Sequence, residues 1–275
     1  MFNTFLSYLA YPFVQHALIV GVLVSLCASL LGVNLVLKRL SYIGDSLSHA
    51  TFGIMIVAMM VDFVSESIFV VVVSVIVSIL IHKYSSKMQG DALLTMISIC
   101  GLSLGYLLMS LSNQTSNMAT DVCATLFGSI SILTLKQSDV YLCIFLSIIV
   151  LVIFFVLYNQ LFAITFDESF SRASKVNVNA YNMLIAILLA LIIVLSMNLV
   201  GSLLISGLIL FPVLSAMKLC KSYMGVTITA GILSVICCLI GIVGSILAET
   251  PVGPSIILVH LICYIGFSTM RKVLG

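Results

Sequence analysis

Asp45 and His49 stand four residues apart in the stretch Ser41-Tyr42-Ile43-Gly44-Asp45-Ser46-Leu47-Ser48-His49-Ala50-Thr51-Phe52-Gly53. On a helix that spacing stacks both side chains on one face, about 6 Å apart along the axis. A carboxylate oxygen and an imidazole nitrogen can then point at a common cation. Such a donor pair suits borderline ions such as Zn2+, Mn2+ and Fe2+ better than Mg2+ or Cu+. Two ligands are too few for a tight site. Two copies of the helix brought together by a two-fold axis would supply two Asp and two His, a four-ligand shell. The same spacing has a second reading, in which Asp45 caps the start of a helix and His49 hydrogen-bonds to a neighbouring helix. Gly44, Ser46, Ser48, Ala50 and Gly53 fit both readings, because small residues permit close helix contact around a site and elsewhere.

The other candidate donors lack such company. His16 and His82 lie at the ends of apolar runs, and His260 lies inside one without a nearby carboxylate, which points to a hydrogen-bonded helix contact. The eight cysteines (Cys27, Cys100, Cys123, Cys143, Cys220, Cys237, Cys238 and Cys263) show neither the paired spacing of a zinc site nor the loop placement of a disulfide framework. They read as small apolar packing residues.

The elements that must hold Asp45 and His49 are set by composition. Of 275 residues 62% are hydrophobic and 7% charged, against about 25% charged in a soluble domain. Lipid is therefore the main solvent. The net charge of +2 and the scattered basic residues argue against nucleic acid as a partner. Spanning the hydrocarbon core takes about 20 apolar residues, and nine stretches approach that length: 14–37, 43–61, 67–81, 92–111, 140–160, 180–197, 199–217, 223–247 and 253–270. The first has no basic region before it and no small-residue cleavage site after it, so it is expected to stay as a membrane helix. Residues 180–217 form one uncharged run, which Asn198 and Gly201 should break into two helices.

A weaker stretch, 120–135, is interrupted by Gly128. If it does not span and the N-terminus is outside, ten of the eleven basic residues fall on the inner side, with Lys136 the exception. If it spans, that bias is lost. The expectation is therefore an all-α, polytopic integral membrane protein of about nine segments, with 120–135 re-entrant or lying on the outer surface. Residues 1–275 make a single transmembrane domain, since the longest inner connection, 161–179, is short. The chain has no Gly-rich phosphate loop ending in Lys and Ser or Thr, so it cannot hydrolyse ATP by itself.

With these residues in order, the sequence resembles the permease subunits of bacterial ATP-binding-cassette importers for zinc and manganese. The resemblance rests on Lys38-Arg39, Ser41-Tyr42, Gly44-Asp45 and His49-Ala50, then on Phe127-Gly128-Ser129-Ile130 and on Phe166-Asp167-Glu168 through Arg172-Ala173. It continues through Val200-Gly201-Ser202-Leu203-Leu204, Pro212 and Ala216 to Pro251-Val252-Gly253-Pro254. It implies the bundle of a type II importer permease in the bacterial cytoplasmic membrane, with Asp45 and His49 as the metal site on the translocation path. It further implies that Phe166, Asp167, Glu168, Phe170, Arg172 and Ala173 dock on a cytoplasmic ATPase dimer. A second permease copy and an extracytoplasmic metal-binding protein are the other implied partners. Zn2+ or Mn2+ would be cargo, with no permanently bound cofactor. Relatives carry a Gly a few residues after the docking Ala, where this chain has Lys175. A channel or proton-coupled carrier could use the same Asp/His pair, whereas an intramembrane metalloenzyme lacks a third ligand or general base nearby.

Overall fold

In the computed structural model, residues 11–61, 66–85, 90–111, 126, 137–202 and 204–274 are described. All regular structure among them is helical. In chain order the helices are α1 (Pro12–Leu37), α2 (Ser41–Met60), α3 (Glu66–Ser85), α4 (Gly90–Leu111), α5 (Gln137–Val156), α6 (Tyr158–Phe166), α7 (Glu168–Ala173), α8 (Val178–Val200), α9 (Ile205–Leu219), α10 (Tyr223–Ala248) and α11 (Val252–Leu274). The stretch 120–135, with Phe127-Gly128-Ser129-Ile130, lies outside the described residues apart from Leu126.

The nine expected segments appear in order, but two are not simple spans. Among the described residues seven helices are long and apolar enough to cross a membrane: α1, α2, α3, α4, α8, α10 and α11. The eighth segment is the pair α5 and α6, bent by 67° at Leu157. Residues 140–160 therefore do not form the straight helix that hydropathy predicts. The ninth is α9, only 15 residues long. It begins later than expected because the chain turns at Gly201, whose φ of 86° is open to glycine without a Cβ clash, and the helix resumes at Ile205.

α1 is the axle of the bundle, packed by α10, α9, α5 and α8. Apolar side chains from four helices meet around it: Leu31 from α1, Leu188, Leu189, Ile192 and Ile193 from α8, Ile205 and Ile209 from α9, and Ile242 from α10. Gly32 sits directly beneath the Ile209 carbonyl, where a Cβ would collide with backbone, so α1 and α9 touch main chain to main chain. Buried hydroxyls tie neighbouring helices together, each satisfied by a carbonyl where no water is at hand. The Ser234 hydroxyl donates to the Ser25 carbonyl (2.8 Å), joining α10 to α1, and Ser78 donates to the Ala186 carbonyl (2.6 Å), joining α3 to α8. The outer helices α3, α4 and α11 expose apolar faces, among them Val72, Ile76, Ile99, Leu104, Leu258 and Ile262, which suits contact with lipid.

Candidate metal centre

α2 starts at Ser41 with Leu40 as its N-cap, so no acidic residue lies in its first turn. Asp45 is about 6 Å, and His49 about 12 Å, along the axis from Ser41. The capping role open to Asp45 in the sequence is therefore absent. His49 is buried, and its Nδ1 has no hydrogen-bond partner among the described residues, so the bond to a neighbouring helix is absent too. Leaving a buried donor or acceptor unpaired costs about 1–3 kcal/mol. The Nε2 atom lies 3.5 Å from Asp45 Oδ1. Two donors bound to one ion at about 2.1 Å with a tetrahedral angle stand about 3.4 Å apart. One small divalent cation can therefore bridge this pair with little side-chain movement.

Three helices set the position of the pair. α4 crosses α2 at the level of His49 with almost no side-chain spacing: a Cβ on Gly101 would lie 2.6 Å from the His49 carbonyl oxygen and 2.8 Å from Ala50 Cα. One on Gly53 would lie 2.9 Å from the Gly101 carbonyl. On another side, Ser206 at the start of α9 lies near the Asp45 carboxylate, and Gly44 lies against Ile209. The Thr51 hydroxyl donates to Ser74 of α3 at 3.3 Å. Gly101 and Ser206 were not singled out by sequence reasoning. Gly101-Leu102-Ser103-Leu104-Gly105 is a G-x-x-x-G pattern that marks close helix approach, so a signal for α4 existed; Ser206 had none.

The carboxylate is 40% exposed, while the imidazole beside it is only 8% exposed. Among the described residues no three His, Cys, Asp or Glu side chains gather into one cluster. The described residues of one copy therefore offer two such donors. His260 is buried and bonds through Nδ1 to the Ile256 carbonyl of its own helix (2.9 Å), with Nε2 unpartnered among the described residues. Its expected contact with a neighbouring helix is thus replaced by one within α11. Cys27, Cys100, Cys143, Cys220, Cys237, Cys238 and Cys263 are free thiols.

The six residues of the expected docking segment come together at one end of the bundle. Asp167 caps α7, its carboxylate accepting the Phe170 N–H at 2.9 Å. Phe166, Asp167, Phe170, Arg172 and Ala173 are exposed, and Glu168 is partly covered. Phe166 packs at a tilt against Phe162 (5.0 Å between centroids), whereas the Phe170 ring is 66% exposed. An exposed aromatic on a short capped helix is suited to a pocket on another protein. The helix ends at Lys175, which adopts φ 62° while Val176 N–H returns to the Ser171 carbonyl and Lys175 N–H to the Arg172 carbonyl. This is a Schellman ending, usually taken by glycine. Burial raises the Glu168 carboxyl, but hydrogen bonds from Lys38 and Asn182 and the charges of Lys38 and Arg172 outweigh it and hold the group below the usual glutamate value.

The family model for the ABC 3 transport family matches residues 10–271. The chain belongs to that family. It is accordingly a multi-pass membrane transport protein, not an enzyme. Similar proteins include the manganese import system permease protein ScaB of Streptococcus gordonii, 26% identical, with 93% of this chain and 90% of the relative covered. The high-affinity zinc uptake system membrane protein ZnuB of Haemophilus influenzae is 29% identical over 88% of this chain and 91% of that protein. Among solved structures, PsaBC from Streptococcus pneumoniae in complex with Fab superposes with a TM-score of 0.85 at 24% identity, covering 97% of this chain and 95% of that one. This last likeness is one of fold.

Proposed function

We propose that this chain is the transmembrane subunit of an ATP-driven importer that carries a divalent transition metal ion, zinc or manganese, from an extracytoplasmic binding protein to the cytoplasm. The observation that carries the reading is the pairing of Asp45 and His49, oxygen and nitrogen donors 3.5 Å apart on a helix enclosed by small residues, in a chain of this transport family. Relatives named for manganese and for zinc support the choice of ions. The whole chain, 1–275, acts as one transmembrane domain. Two copies related by a two-fold axis bring two Asp45 and two His49 together, and the half-exposed Asp45 carboxylate is the group left open toward the second copy.

The chemistry is ligand exchange, with no covalent bond made. The ion arrives from its binding protein, trades those ligands for Asp45 and His49, and trades these in turn for water on the inner side. Selectivity against Mg2+ follows from the imidazole nitrogen. Phe166, Asp167, Glu168, Phe170, Arg172 and Ala173 dock on a separate cytoplasmic ATPase, and ATP binding there shifts the permease between outward-open and inward-open states. The ion is cargo rather than a resident cofactor.

The test is uptake into proteoliposomes by the chain assembled with its ATPase, across a panel of divalent ions. Zinc, manganese or both should accumulate only with ATP. Asp45→Ala and His49→Ala should insert normally yet lose uptake by more than the roughly 10–100-fold that follows loss of an outer-layer partner of a metal ligand. Uptake that proceeds without ATP would assign the pair to a gradient-driven carrier instead, and normal uptake by both variants would remove the site.

A further inference from the structure

We propose that Lys38 is the positioning residue that links the docking segment to the metal-bearing helix, so that movement of α7 reaches Asp45 and His49 through the turn between α1 and α2. The inference rests on the docking role assigned to α7 and goes beyond it by naming the transmitting group. Lys38 is the C-cap of α1, with its side chain only 8% exposed. Its ammonium donates to Glu168 Oε1 of α7 at 2.9 Å and to Asn182 Oδ1 of α8 at 2.7 Å. Asn182 closes the triangle by donating to the same Glu168 oxygen at 3.1 Å.

One turn earlier on α1, Asn34 makes a second attachment. Its Oδ1 accepts from Thr165 of α6 (3.2 Å) and from the Tyr223 hydroxyl of α10 (2.7 Å). Residues 34 and 38 share a helix face, so the C-terminal end of α1 grips α6 and α7 at two points. The connection onward is short and stiff. Arg39 takes a left-handed φ of 59°, Leu40 N–H returns to the Leu35 carbonyl, Arg39 N–H returns to the Val36 carbonyl, and α2 begins at Ser41. Six residues separate Lys38 from Asp45, and four of them, Ser41 to Gly44, are already helical.

The energetics favour transmission over slippage. A nearly buried ammonium is tolerated only while its partners stay in place. A displaced α7 must therefore either strand the Lys38 charge or draw the end of α1, and with it the start of α2, along. On the far side α2 meets the backbone of α4 at Gly101 and Ile209 of α9 at Gly44. Close packing of that kind permits discrete rearrangement rather than gradual bending.

The experiment uses the chain assembled with its ATPase in proteoliposomes and reads metal taken up per ATP hydrolysed. Lys38→Met should lower that ratio by roughly 5- to 150-fold while the ATPase still co-purifies and basal hydrolysis continues, and Glu168→Gln should lower the ratio to a similar extent. Lys38→Met combined with Glu168→Gln should be no worse than either alone, and the exchange Lys38→Glu with Glu168→Lys should restore part of the ratio. A merely structural role would lower assembly and yield without changing the ratio, and that result overturns the inference. Additive losses in the double variant, or an unchanged ratio in Lys38→Met, do the same. Phe170→Ala and Arg172→Ala tell the two readings apart: unchanged assembly and coupling in both removes the docking role itself, whereas impaired docking there beside normal coupling in Lys38→Met refutes only the part given to Lys38.

Discussion

At Lys175 the backbone holds φ 62°, a left-handed conformation that costs a residue with a Cβ about 1–2 kcal/mol. Glycine avoids that cost, so Lys175→Gly should stabilise the detergent-solubilised protein by about 1 kcal/mol, measured as a higher Tm of the turn-containing fold. An unchanged or lowered Tm would mean that the lysine side chain compensates through contacts of its own. The need for such a turn was half legible: the resemblance placed a glycine near this position, and the hydrogen bonds around Ser171 and Arg172 explain why one is favoured. The Asp45 and His49 pairing was legible for a simpler reason, since a spacing of four fixes a shared face on any helix. The absence of a partner at His49 Nδ1 was not legible, because it depends on which helix lies opposite.

Among the elements, the crossing of α2 and α4 has the narrowest tolerance. Gly101→Ala places a methyl carbon against the His49 carbonyl and Ala50 Cα, both backbone atoms that have no rotamer to change. The expected result is a loss of about 1–3 kcal/mol from overpacking, seen as a lower Tm, together with reduced metal uptake because α2 must shift at the site. Full uptake by Gly101→Ala would separate this crossing from transport. Hydropathy located both helices but not their contact. It likewise placed residues 140–160 in one straight span, where the chain bends by 67° at Leu157. Val156-Leu157-Tyr158 contains neither Pro nor Gly, the usual sequence marks of a kink. The break between α8 and α9 was readable because Gly201 supplies a positive φ that few other residues adopt.

Across the whole molecule, the tie between α1, α7 and α8 should respond to acid in one direction. The Glu168 carboxyl titrates below its ordinary value of 4.5 in the folded protein, so its stabilising contribution is complete above that value and is lost as pH falls through the lower, folded-state value. Because the side chain is 43% exposed, solvent screening limits the contribution to about 1 kcal/mol or less. The Tm difference between the wild type and Glu168→Gln should therefore stay constant from neutral pH down to 4.5 and close below it. A difference that instead grew on acidification would contradict the sign of the effect. At this scale the sequence by itself determined the membrane environment, the succession of apolar segments and the Asp45–His49 spacing, since hydropathy and helical period are local properties. Tertiary structure alone decided that α4 lies against His49, that Ser206 lies near Asp45, and that Lys38 holds Glu168 across 130 residues of chain. The physical reason is the lipid solvent: helices that are apolar toward both neighbours and lipid carry little of the amphipathic signal that marks the buried face of a soluble helix.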